Sequence, residues 1–185
     1  MKKVLFVVGS LRKQSFNRQV SEFVKILLDG KVQVSELDYA DIPFVNQDIE
    51  FPTPPSVARV RKQITEADAI WVFTPEYNYS YPSVVKNLFD WLSRPMTQER
   101  DSATAIRGSK VAITGIGGKN KTKDCRAKLT SLLQFIGAEV MENQVGLAVN
   151  VEAWTSDKVV LDDSQKAELQ QQVTDFLNFV NTWLL

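Results

Sequence analysis

The sequence predicts an α/β protein in which a parallel sheet is covered by helices on both faces. Three observations predict it. Short, continuous apolar runs such as Val4-Leu5-Phe6-Val7-Val8 and Ala69-Ile70-Trp71-Val72-Phe73 have the pattern of strands buried on both sides. Stretches between such runs carry apolar residues at helical spacing. The two patterns alternate five times along the chain, as parallel strands with crossover helices require.

The first strand is residues 3–8. A helix follows, with Val20, Phe23, Val24, Leu27 and Leu28 as its apolar stripe and Asp29-Gly30 as its end. Val32 to Leu37 alternates and reads as the second strand. Residues 39–55 form a long loop holding Pro43, Pro52, Pro54 and Pro55. Val57, Val60 and Ile64 mark the second helix, which stops near Ala67, and the third strand spans residues 69–74. Pro82 suits a first helical position, and Val84, Val85, Leu88, Phe89 and Leu92 make the third helix. After a polar connection at 93–109, residues 110–115 are the fourth strand. Leu129, Leu132, Leu133 and Ile136 give the fourth helix, which Gly137 ends. Residues 138–149 hold the fifth strand and a tail, and 150–163 look irregular. Leu169, Val173, Phe176, Leu177, Val180 and Leu184 define a last helix. With no repeat, low-complexity tract or linker, residues 1–185 read as a single domain.

Composition narrows the function. The 22 basic and 22 acidic residues balance, and no basic stripe stands out, so no nucleic-acid partner is expected. No apolar run approaches a membrane span, and no membrane partner is expected. Only Lys2 and Lys3 precede a short apolar run, which is too little for a signal peptide. A single cysteine, Cys125, excludes an internal disulfide, and a cytoplasmic location is expected. The chain has no histidine, which removes a Ser-His-Asp triad and any His-containing zinc site. Chemistry that asks little of side chains remains open, and flavin chemistry is of that kind.

Two loops follow strands at the edge where open α/β sheets hold ligands. Gly9-Ser10-Leu11-Arg12-Lys13-Gln14-Ser15-Phe16-Asn17 leads into a helix that Ser15 can cap. Its glycine would let the backbone turn tightly. Its hydroxyls, Asn17, the helix N-terminus and Arg12 make an anion site suited to a terminal phosphate monoester. It is neither a Walker A loop nor a dinucleotide Gly-x-Gly-x-x-Gly loop. The plainer alternative is an ordinary βα turn with a serine cap. Pro75-Glu76-Tyr77-Asn78 follows the third strand and suits a flat, heteroatom-rich ring, and a Pro-initiated turn with surface tyrosines explains the same residues equally well.

Both loops together resemble the NAD(P)H-dependent FMN reductase family, which includes quinone, azo-dye and chromate reductases. The resemblance runs from about residue 3 to residue 150. It rests on Gly9-Ser10-Leu11-Arg12-x-x-Ser15-x-Asn17 and on Thr74-Pro75-Glu76-Tyr77-Asn78-Tyr79-Ser80-x-Pro82, with Lys86-Asn87 and Asp90-Trp91-Leu92-Ser93 after it. It implies a flavodoxin-like, three-layer doubly wound sandwich whose five-stranded parallel sheet has the order 2-1-3-4-5. It implies FMN as cofactor and NAD(P)H as co-substrate. Hydride would pass to the flavin and then to a small-molecule acceptor: a quinone, a flavin, an azo compound or a metal oxyanion. Ser10, Arg12, Ser15 and Asn17 would hold the FMN phosphate. Pro75, Glu76, Tyr77 and Asn78 would lie along the ring and ribityl chain, and Gly115, Gly117 and Gly118 would match a third flavin-side loop. No catalytic side chain and no metal site is implied. A homodimer or homotetramer is implied as well.

The rival from another class is a flavodoxin-type electron carrier without NAD(P)H turnover, but carriers of that type are usually strongly acidic. The third helix bears on assembly: its apolar residues, with Trp91, cover more than one side. The expectation is a dimer, at least, through this helix, with a partner subunit covering the surplus; the plainer alternative is that the 93–109 segment folds over it. Cys125 reads as structural, Trp91, Trp154 and Trp183 as packing residues, and the lysines of 119–123 as a solvated loop.

Overall fold

The computed structural model of the chain describes residues 1–99 and 102–181. Its elements are β1 (Lys3–Val8), α1 (Phe16–Leu27), β2 (Gln33–Glu36), α2 (Pro55–Thr65), β3 (Ala69–Phe73), α3 (Ser83–Leu92), β4 (Lys110–Gly117), α4 (Lys123–Phe135), β5 (Glu139–Val140), β6 (Val145–Ala148), α5 (Ala153–Ser156) and α6 (Asp163–Asn181). A 3-10 turn at Gln47–Ile49 interrupts the long loop after β2. Trp183 and Leu184 lie outside the described residues.

All strand pairs are parallel. The order is β2-β1-β3-β4, with β5 and β6 both on the far side of β4. The single fifth strand read from the sequence is therefore one edge position built from two pieces. β5 lies beside Lys110 and Val111, and β6 beside Thr114 to Gly117. Tertiary contacts hold the break between them: Asn143 O accepts from Gln172 Nε2 at 3.1 Å, and Gln144 O from Arg126 Nη1 at 3.4 Å. The order 2-1-3-4-5 stands.

Successive strand residues feed opposite faces, as the period of two demands. Val4, Phe6, Trp71 and Phe73 pack with α1 and α6 through Val20, Val24, Leu169 and Phe176. Leu5, Val7, Ile70 and Val72 pack with α2, α3 and α4 through Ile64, Leu88 and Leu129. One polar chain crosses the first core: Trp71 Nε1 donates to Thr114 Oγ1 at 2.8 Å, which donates to Gln172 Oε1 at 2.7 Å. Gln172 Nε2 donates to Ile113 O at 2.9 Å, so all three side chains of this relay are paired.

Helix ends follow local chemistry. Ser15 Oγ accepts from Arg18 N at 3.3 Å and starts α1. Pro82, expected as the first helical residue, sits one position earlier as the N-cap of α3. Gly137, at φ +91°, ends α4.

The surplus apolar surface expected on α3 is absent. Val85, Leu88, Phe89, Trp91 and Leu92 are all buried within one chain. Part of the cover is the loop after β2, whose Pro43 O accepts from Trp91 Nε1 at 2.7 Å and from Asn87 Nδ2 at 3.0 Å. Asn87 Oδ1 accepts from Val45 N at 2.9 Å. The 93–109 segment adds Ala105 and Ile106, buried in the same cluster. Glu50 fixes the far end of the loop through two bonds of 2.9 Å from Arg94. Asn87 and Trp91 thus tie down a loop of their own chain.

Candidate functional site

The loops after β1, β3, β4 and β6 meet at the carboxyl edge of the sheet and enclose a cleft of about 160 Å³. Its first wall is the loop after β1. Gly9 does not turn the chain there, because its φ is not positive. A Cβ at this position would lie 2.8 Å from Val85 Cγ2 and 3.0 Å from Thr74 Oγ1, so glycine lets the loop pack on α3 and β3. Ser10 and Ser15 are buried in the lining, and the half-exposed Arg12 lines its rim. In the first turn of α1 the Arg18 N–H is taken by Ser15 Oγ, and Phe16 and Asn17, the two residues before it, line this end of the cleft. Asn17 lines the cleft but is committed elsewhere. Its Nδ2 donates to Ile116 O at 3.1 Å, and its Oδ1 accepts from Ile116 N at 3.1 Å. It splices α1 onto the end of β4.

The second wall is Pro75-Glu76-Tyr77. Asn78 belongs to the tip behind it and does not line the cleft. Asn78 and Tyr79 have φ of +50° and +58°. Tyr77 N donates to Ser80 O at 2.9 Å, and Ser80 N to Tyr77 O at 3.0 Å. This is the two-residue reversal that needs positive φ at both central positions, and asparagine tolerates it. The Glu76 carboxylate also works behind the wall. It accepts from Asn120 Nδ2 at 2.9 Å and from Cys125 N at 2.9 Å. Thr122, the N-cap of α4, offers no side-chain cap, so Glu76 supplies an acceptor to the first turn from a neighbouring loop.

The third wall is Ile116, Gly117 and Gly118. Gly115 does not line the cleft. It is buried in β4, where a Cβ would stand 2.2 Å from Thr122 Oγ1 and 2.8 Å from Thr74 O. β4 runs on to Gly117, two residues past the strand end read from the sequence. The loop curls back on it through Lys121 and Thr122, both at positive φ. Cys125 is buried against Pro75 O at 3.3 Å, and burial pushes its thiol up to about 11, as befits a structural residue.

Nine of the eleven expected residues thus share one cleft, and Asn78 and Gly115 sit just outside it. Phe16, Ile116 and Trp154 join it unforeseen. Trp154 does not fit its reading as a packing residue. It is 60% exposed, with its ring 5.4 Å from that of Phe16 in an edge-on contact. It comes from α5, in a stretch too short and irregular to show periodicity.

The chain is similar to known proteins along most of its length. The model of a family described as NADPH-dependent FMN reductase matches residues 2–152. An NAD(P)H-dependent FMN reductase of Pseudomonas aeruginosa is 33% identical, covering 92% of this chain and 91% of its own. A quinone reductase of Escherichia coli is 34% identical, covering 96% and 95%. The solved structure of FerB, a flavoenzyme NAD(P)H:(acceptor) oxidoreductase from Paracoccus denitrificans, superposes with a TM-score of 0.85. FerB is 31% identical and covers 97% of each chain.

Proposed function

The chain belongs to the NADPH-dependent FMN reductase family, and we propose from that premise how its cleft does the work. It is an FMN-dependent NAD(P)H oxidoreductase with a flavodoxin-like fold. When bound, FMN supplies the ring that accepts hydride from NAD(P)H and gives up electrons to a small-molecule acceptor.

The residues of the cleft fit that group. Two buried hydroxyls, the open first turn of α1 and the Arg12 guanidinium converge on one end, a donor set for a phosphate monoester. Ser10, Ser15 and Arg12 hold the phosphate in this reading, and Asn17 keeps their helix in place. The main chain of Pro75, Glu76 and Tyr77 addresses the ring edge. Gly117 and Gly118 let the ligand approach the backbone; beside Gly118 a Cβ would find open space. Asn78 shapes the loop tip, and Gly115 seats the loop after β4. No side chain need act as nucleophile or proton donor.

The single observation that carries the proposal is the convergence of the Ser10–Asn17 loop and the Pro75–Tyr77 wall on one cleft. A quinone is the proposed acceptor, since relatives covering nearly the whole chain carry the name quinone reductase. The cytoplasm is the proposed location, in keeping with one buried, unpaired cysteine. No helix among the described residues is long and apolar enough to cross a membrane. A homodimer or homotetramer remains proposed on family resemblance, and helix α3 no longer argues for it. Nucleic acid is not proposed as a partner, because the charges balance without a basic stripe.

The deciding experiment is the absorbance spectrum of the purified protein before and after anaerobic NADPH. A yellow protein that bleaches and recovers its colour with a soluble quinone supports the enzyme. A yellow protein that NADH and NADPH both leave unchanged supports an electron carrier instead.

A further inference from the structure

We infer that Asp157 is a positioning residue that holds Arg12 in the cleft for a phosphate monoester. The inference rests on the proposed FMN site and adds a residue beyond the family match, which ends at residue 152.

Asp157 is fixed through its backbone. It lies just after α5, with its N–H donating to Ala153 O at 2.9 Å. Its φ of +59° is a left-handed conformation that few residues other than glycine, asparagine and aspartate adopt readily. Gln19, on α1, grips the chain on both sides of Lys158. Its Nε2 donates to Asp157 O at 2.8 Å, and its Oε1 accepts from Val159 N at 2.8 Å. The carboxylate is therefore carried at a set distance from the helix whose first turn forms the anion end of the cleft.

From that mount Asp157 Oδ1 takes a charge-assisted bond from Arg12 Nη2. The Arg12 guanidinium also lies over the Phe16 ring, 5.5 Å from its centroid, and Phe16 meets Trp154 edge-on. Arg12, Phe16, Trp154 and Asp157 form a closed circuit that begins in the loop after β1 and ends beyond α5.

The circuit has a use. Arg12 is a long side chain, half exposed, at the rim of a cleft. Unrestrained, it would spend much of its time in water, and ordering it would cost rotamer entropy at each binding event. Asp157 engages one terminal nitrogen, and the remaining N–H donors of the planar fork stay available to phosphate oxygens. The pairing raises affinity for the phosphate-bearing flavin and does nothing for a flavin without phosphate.

The test titrates FMN and riboflavin into full-length protein freed of flavin, followed by quenching of flavin fluorescence. Asp157→Asn is expected to weaken FMN binding roughly two- to fivefold, the range an exposed ion pair allows. Riboflavin binding should stay unchanged, and Asp157→Glu should recover part of the loss. In an Arg12→Ala background, Asp157→Asn should add nothing further. Unchanged or tighter FMN binding in Asp157→Asn overturns the inference, the tighter case marking Asp157 as a competitor of phosphate. Equal weakening of both flavins overturns it too, because the segment then serves only the fold. If the unsubstituted protein binds riboflavin as tightly as FMN, the phosphate reading of the cleft fails first and the inference fails with it.

Discussion

Among the described residues Arg12 is the one full positive charge lining the cleft, so its removal has a directional consequence. Arg12→Ala should weaken FMN ten- to hundredfold, since a charge-assisted hydrogen bond is worth roughly 1.5–3 kcal/mol. Riboflavin should be much less affected, and an equal loss for both would mean that Arg12 serves the fold. Cys125 makes the opposite kind of prediction. Burial raises its thiol from the ordinary 9.0 to about 11, so the unfolded chain gives up this proton first. Its contribution to stability is full below pH 9.0 and is lost as pH climbs through about 11. Urea midpoints across that window should fall less steeply in Cys125→Ala. At this scale the placement of Ser10, Arg12 and Ser15 in one cleft was legible in the sequence, because all three lie on one short loop after a strand. Asn78 lies outside the lining, and its positive φ serves the tip of the loop. Asn17 does line the cleft, but nothing local shows that its amide pairs with Ile116, a residue 99 positions away.

Among the elements, the strands were legible because two-sided burial leaves an unbroken apolar run. The helices were legible because one-sided burial leaves a stripe. The edge strand after α4 was not, since its interruption is held by Gln172 and Arg126, which no local pattern announces. Helix α3 misled for a related reason: apolar residues on several sides signal burial, and the sequence does not say whether a partner or the chain's own loop provides it. Gly115 shows how tightly β4 and its following loop are fitted. A Cβ there would stand 2.2 Å from Thr122 Oγ1 and 2.8 Å from a main-chain oxygen that cannot rotate away. Gly115→Ala should therefore cost roughly 1–3 kcal/mol in urea unfolding. Because the displaced loop carries Gly118, FMN affinity should fall with it. Unchanged stability would show that the loop yields more easily than its packing indicates. Glu76→Ala, which removes an acceptor from the first turn of α4, should cost about 1 kcal/mol by the same measurement.

For the whole molecule, a single flavin cleft of the proposed kind would serve NAD(P)H and the acceptor in turn. Double-reciprocal plots for NAD(P)H and a soluble quinone should give parallel lines, and converging lines would rule out alternate occupancy. The tryptophans add an optical consequence. Trp71 and Trp91 are at most 1% exposed, whereas Trp154 stands 60% exposed at the mouth of the cleft. Emission from the first two should be blue-shifted and indifferent to iodide. Emission from Trp154 should lie at longer wavelength, be quenched by iodide, and fall as flavin enters, since a nearby flavin accepts its excitation energy. The chain thus carries its own reporter of cleft occupancy, readable without any label, and the share of the signal due to Trp154 should disappear in Trp154→Phe.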